Sequence, residues 1–147
     1  MKKLQDVLRK ENYRKIKFKV TKTQHITVKA RINGVKGDFI LDTGASNSCV
    51  GFESIELFKL NASKSKTKAA GAGATGMVTQ LASDNYLELG TWKCQDFHLV
   101  IFDLSHVNEA LRQHKTKAVQ GIIGADVLLE GDAIIDYSSK SLYLKKL

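Results

Sequence analysis

Asp42 is the residue of this chain best placed for acid–base chemistry. It follows the apolar run Phe39-Ile40-Leu41 and opens Asp42-Thr43-Gly44-Ala45-Ser46. An apolar run that stops at an acid and a tight glycine turn sets a carboxylate at the mouth of a buried strand. A carboxylate that serves only solubility has no use for that setting. One that holds or shares a proton does, because apolar surroundings and a like-charged neighbour are what shift its proton affinity. The competing reading, an aspartate used as turn former before glycine, leaves the apolar lead-in unexplained. The motif occurs once in 147 residues.

The other reactive residue types form no comparable set. Ser46, Ser48 and Cys49 lie beside Asp42, but no motif pairs them with a histidine, and Cys49 is expected to pack beneath the loop. His25, His98, His106 and His114 have no zinc spacing. Asp126 reads as a helix-start residue and Asp136 as a strand-end residue. Trp92 reads as core. The glycine-rich stretch 69–76 lacks the Gly-Lys-Ser/Thr of a phosphate-binding loop.

The elements that must position Asp42 follow from hydrophobic period and turn chemistry. Leu4, Val7 and Leu8 have helical spacing within residues 3–12. Residues 16–20 and 25–32 alternate as half-buried strands do, and Asn33-Gly34 marks a hairpin whose return strand, 35–41, runs into Asp42. Residues 49–52 read as a short strand, 53–60 as a short helix and 61–68 as a polar, basic loop. Glycine and small residues over 69–77, followed by β-formers, read as a hairpin with a glycine-rich tip. Strands are expected at 86–89 and 92–101, and a helix at 104–114. A buried strand from 121 stops at Gly124, a helix begins near Asp126, and 133–137 with 141–144 close a last hairpin. Short strands with frequent turns and few helices predict a mostly β, closed sheet.

Composition limits the function classes. A single domain is expected at this length. The two cysteines are too few for a disulfide framework and read as reduced thiols. No stretch approaches the ~18 apolar residues of a membrane span, and the basic start has no apolar segment behind it, so a cytoplasmic protein is expected. The net charge is +8, with nine basic residues within residues 1–22. Lys59, Lys64, Lys66 and Lys68 form a second run. Aromatic interleaving is thin, so these read as solvated surface before they read as a nucleic-acid site.

Three features stand in order: apolar-apolar-Asp42-Thr43-Gly44, a glycine-rich hairpin, and Ile122-Ile123-Gly124-Ala125 before a short helix. This arrangement resembles the retropepsin-like aspartic proteases over roughly residues 25–147, leaving residues 1–24 as a basic extension and candidate pro-segment. The resemblance implies a closed acid-protease half-barrel with a flap hairpin and short helices. It also implies an aspartic endopeptidase without metal or organic cofactor. In that family two carboxylates share one proton, so a chain with one motif must act as a two-fold homodimer. Asp42 matches the catalytic aspartate. Thr43 matches the threonine that bonds across the axis, and Gly44 the glycine that lets backbone amides approach the carboxylates. Ala45, Ser46 and Ile123, with Gly71, Gly73, Ala74 and Gly76 of the flap, match positions that meet an extended peptide.

Two departures accompany the likeness. The segment between Asp42 and Ile122 is longer than in compact retroviral enzymes, through residues 53–68 and 102–118. The termini carry Lys2, Lys3, Lys145 and Lys146, which disfavours the interleaved terminal strands of retroviral dimers; the helix at 104–114 or the Leu142/Leu144 strand is the alternative contact. Two other classes stay open on sequence: a catalytically silent peptide-binding or dimerisation module of the same fold, and a basic nucleic-acid-associated protein.

Overall fold

The computed structural model describes residues 3–64 and 79–147. Helix α1 (Leu4–Lys10) leads into strand β1 (Tyr13–Lys17) and the two-residue strand β2 (Lys19–Val20). The continuous strand expected over 16–20 is therefore broken at Phe18, whose ring is buried in the main core. The predicted hairpin forms as β3 (Ile26–Ile32) and β4 (Val35–Leu41) in register from Ile26↔Leu41 to Ile32↔Val35. Its turn needs left-handed backbone at both central positions, and Asn33 (φ 52°) with Gly34 (φ 84°) supplies it.

Strand β5 is confined to Cys49–Val50. The helix expected over 53–60 reduces to a 3₁₀ turn at Phe52–Ser54 followed by turn backbone to Lys59. Packing decides this: Phe58 is fully buried and stacks on Phe39 at 5.9 Å, while the Asn33 amide donates to the Phe58 carbonyl at 2.8 Å. The start of the expected 61–68 loop is instead strand β6 (Ala62–Lys64), paired with β7 (Gln80–Leu89). Strand β8 (Trp92–Ile101), helix α2 (Ser105–Gln113), strand β9 (Gly121–Ile123) and helix α3 (Ala125–Glu130) follow, then β10 (Ile134–Asp136) and β11 (Ser141–Lys145).

The main sheet runs β2-β3-β4-β9-β5-β8-β7-β6, and a further β3–β7 pairing at Arg31↔Glu88 and Ile32↔Leu87 closes six of its strands into a barrel. Closure leaves those six without a free edge. The fold is thus the mostly β, closed half-barrel with short helices that the sequence predicts. A second sheet, β1-β11-β10, packs against it through Ile16, Leu142 and Leu144.

Strand β9 inserts between β4, to which it is parallel, and β5, to which it is antiparallel. Alternation along these strands sorts their side chains into two cores. Phe39, Leu41, Val50 and Ile123 enter the barrel interior with Trp92 and Leu99. Ile40, Cys49 and Ile122 join Leu104, Leu111 and Val119 in a second cluster that includes α2. Burial pushes the Cys49 thiol up to about 12, so this cysteine is packing material and not a nucleophile. Neither cysteine is disulfide-bonded.

The segment entering β9 is tied down at two places. Asn108 of α2 exchanges hydrogen bonds with the Val119 backbone at 3.1 and 2.8 Å. Lys117 reaches Asp38 of β4 at 3.0 Å, and Lys29 contacts the same carboxylate. Burial alone would raise the Asp38 proton affinity, but the two lysines outweigh it and hold the carboxyl below its ordinary range. A lowered folded-state value stabilises the fold above the ordinary carboxylate range and ceases to as pH falls through it. Both lysines are exposed, so Asp38→Asn is expected to cost only about 0.5–1 kcal/mol at neutral pH. That deficit should shrink between neutral pH and a pH below the ordinary carboxylate value of about 4. Urea denaturation of both proteins at the two pH values measures it; an equal deficit at both would remove the charge contribution.

Candidate active site

Strand β4 ends at Leu41, and the chain turns through Asp42–Asn47 before β5. Three backbone contacts fix this loop. The Asp42 amide donates to the Ile123 carbonyl at 2.9 Å, the Ala45 amide to the Asp42 carbonyl at 3.2 Å, and the Ala125 amide to the Ala45 carbonyl at 2.7 Å. Strand β9 and the start of α3 therefore hold the loop at both ends. At Gly124 the backbones approach so closely that a Cβ would lie 2.6 Å from the Ala45 carbonyl oxygen. A side chain there would push α3 off the loop.

The Asp42 carboxylate is oriented by the Gly44 amide, which donates to its Oδ1 at 2.8 Å. Leu41 behind it is buried, whereas Thr43, Gly44 and Ser46 are exposed at the loop tip. Asp42, Thr43 and Gly44 are thus brought together on one exposed turn above an apolar strand. Among the described residues nothing bonds the Thr43 hydroxyl, and Ser46 makes no bond to Asp42. Ala45 packs against the second cluster. Ile123 differs from its expected role: its side chain is fully buried in the barrel, so it positions the loop through its carbonyl and offers no surface to a peptide. Gly71, Gly73, Ala74 and Gly76 lie outside the described residues.

Sequence reasoning missed one buried network. Ser48, with no exposed surface, donates from its amide to Asp126 Oδ2 at 2.9 Å and from Oγ to Asp126 Oδ1 at 2.7 Å. The same Oγ accepts from the Gly124 amide at 2.9 Å, and Asp126 Oδ1 also accepts from the Val127 amide at 2.9 Å. Asp126 is the helix-start residue that its position suggested, but it also clamps the far end of the Asp42 loop to α3. The two partners are 78 residues apart, so no local pattern could pair them. Ser48→Ala leaves the buried Gly124 amide unsatisfied and should cost about 2–3 kcal/mol of stability. The exposed Ser46→Ala should stay within about 0.5 kcal/mol of wild type. Urea unfolding of the pair tests this; equal values would dismiss the clamp.

His106 and His114 are exposed on and just after α2, Trp92 is buried, and Asp136 binds its own turn through the Ser138 amide at 3.1 Å. The basic residues Lys17, Lys19, Lys29 and Lys117 rim a separate cleft of about 410 Å³ that does not include Asp42.

The closed half-barrel is that of the retropepsin-like aspartic proteases. A family profile described as Aspartyl protease matches residues 28–127, and the chain belongs to that family. Solved structures agree on the fold. A retropepsin-like aspartic protease from Rickettsia conorii is 16% identical, with a TM-score of 0.60 over 91% of this chain and 90% of its own. The retroviral protease-like domain of Ddi1 from Leishmania major is 18% identical, with a TM-score of 0.57 over 84% and 90%. EIAV protease complexed with the inhibitor HBY-793 is 18% identical, with a TM-score of 0.54 over 76% and 91%. A sequence search of curated proteins gives no match.

Proposed function

We propose that this protein is an aspartic endopeptidase that works as a homodimer. The observation that carries the reading is the half-buried Asp42 carboxylate, set at the exit of a buried strand and oriented by the Gly44 amide beside an exposed loop tip. Membership of the aspartyl protease family supports it. One chain supplies one such carboxylate, and the chemistry uses two. Across a two-fold axis Asp42 meets the partner's Asp42, and repulsion keeps the pair from ionising together, so they share one proton.

The ionised member takes a proton from a water held between the carboxylates. The water oxygen attacks the peptide carbonyl carbon, while the protonated member gives its proton to the carbonyl oxygen. Collapse of the tetrahedral intermediate breaks the C–N bond. The amine leaves with the proton taken from water, and the proton on the oxygen returns to the pair. The substrate is an extended, largely apolar peptide lying across the axis, with Thr43 joining the two loops. The reaction as written draws on carboxylates and water alone.

The test is cleavage of a diverse peptide library from pH 4 to 8 by wild type and Asp42→Asn, with the dimer checked by sedimentation. Cleavage by wild type alone supports the reading. Silence from both dimeric proteins would replace it with a peptide-binding module, and a strictly monomeric chain at every usable concentration would end it.

A further inference from the structure

We propose that a basic track along the outer face of β3 holds an acidic segment of the peptide substrate, beside the apolar stretch that is cut. The track rests on the endopeptidase reading above, whose substrate class it narrows.

The track begins in the cleft of about 410 Å³, where Lys17, Lys19, Lys29 and Lys117 stand around walls that include Phe18 and Val119. Asp38 is the one acid lining that cleft, and Lys29 and Lys117 already share it. Lys17 reaches the Ser139 carbonyl at 3.4 Å, and among the described residues neither Lys17 nor Lys19 has an ion pair. Lys29 also lines a second depression, of about 200 Å³, with Arg31, Lys36 and Glu88. Two depressions joined at one lysine make a path, which suits an extended chain better than a small anion.

Strand geometry sets the spacing of that path. Ile26, Val28, Ala30 and Ile32 of β3 face the core, so Thr27, Lys29 and Arg31 face outward. Alternate residues of a strand lie about 7 Å apart. An extended peptide repeats its side chains at the same interval, so acids at every second position meet successive cations. The register adds a reason for an acid to bind. Arg31 lies directly opposite Lys36 on β4, and like charges so placed repel. Glu88 lies opposite Arg31 on β7, yet no ion pair joins them among the described residues. A bound carboxylate between Arg31 and Lys36 offsets their repulsion.

The cleft is the end of the track nearer the catalytic loop: Thr27 pairs with Ile40, two residues before Asp42. An acidic segment there flanks the scissile stretch and does not occupy its site. A nucleic acid fits less well. Phe18 is the only aromatic residue lining either depression, and it is buried, so no ring is offered for a base to stack on.

Fluorescence anisotropy on the Asp42→Asn protein, which is expected to bind peptide without cutting it, tests the track. The probe has an apolar centre and a Glu-Xaa-Glu-Xaa-Glu flank; its counterpart carries Gln in place of each Glu. The Glu peptide is expected to bind about 10-fold tighter, an advantage that shrinks as salt is added. Lys17→Glu with Lys19→Glu should abolish that advantage. Lys145→Glu with Lys146→Glu should keep most of it: the change of charge is equal, on exposed residues that line neither depression. Circular dichroism checks that both double variants fold. Equal affinity for the two peptides, or an equal loss in both double variants, overturns the track and leaves the endopeptidase reading standing. Tighter binding of a single-stranded DNA of matched charge overturns the peptide assignment. Preference for the Glu peptide in a protein whose wild type cuts no peptide keeps the track and overturns the endopeptidase reading.

Discussion

Asp42→Asn is expected to lower peptide hydrolysis on the order of 10⁴-fold while leaving the fold intact. The asparagine side chain keeps an oxygen that can accept from the Gly44 amide, now at 2.8 Å from Asp42 Oδ1, so the loop keeps its anchor. What disappears is the group that takes a proton from water. General acid–base assistance contributes about 10²–10⁴-fold for one group, and in a two-fold dimer the substitution removes both carboxylates together. The loss should fall on kcat, with KM little changed, because the carboxylates act on the transition state. The wild-type rate should fall on both sides of a pH window, since one carboxylate must be protonated and its mate ionised. Mixing gives a sharper test. In an equal mixture about a quarter of the dimers are wild type in both subunits, so activity should drop to about that fraction as subunits exchange. A drop only to half would mean that each chain works alone.

Removal of residues 1–24 is the second substitution with a large expected effect, here on folding. The sequence presents this segment as a basic extension and a candidate pro-segment. In the structure it supplies β1 and β2, and Ile16 and Phe18 are 6% and 5% exposed within the main core. Each buried side chain of that size contributes roughly 1.5–3 kcal/mol. The cut also strips five residues of pairing from β11. The sum is comparable with the whole stability of a small domain, about 5–15 kcal/mol. Residues 25–147 alone are expected to be insoluble or unfolded. Circular dichroism and thermal melting of that fragment decide it: a cooperative transition within about 5 °C of the full chain would overturn the expectation. Self-cleavage at that boundary should therefore destroy the fold, and prolonged incubation of active protein should leave the N-terminus in place.

The legible parts of this fold were those governed by local rules. Period-two alternation and the Asn33-Gly34 turn specify the β3–β4 hairpin with its register, because the turn geometry allows one pairing. Gly124 and the residues after it mark the break between β9 and α3. The misread segments were those in which long-range packing overrode local preference. The 53–60 stretch has helical spacing, but the burial of Phe58 against Phe39 and Gly37 leaves only a 3₁₀ turn. Phe18 interrupts an otherwise regular alternation because its ring is drawn into the core. Ile123 and Ile122 are adjacent and alike in sequence; only the insertion of β9 between β4 and β5 decides which faces the barrel and which faces α2.

By itself the sequence determined the catalytic candidate and its fold class. An acid after an apolar strand and before a glycine turn is a local statement about where a carboxylate sits, and short alternating strands are a local statement about a closed sheet. The tertiary structure decided what holds the carboxylate in place. The Ser48–Asp126 clamp joins residues 78 positions apart, and β1 at the start of the chain pairs with β11 at its end, from Tyr13↔Lys145 to Lys17↔Ser141. Both depend on which backbones become neighbours after the barrel closes, and no pattern along the chain carries that information.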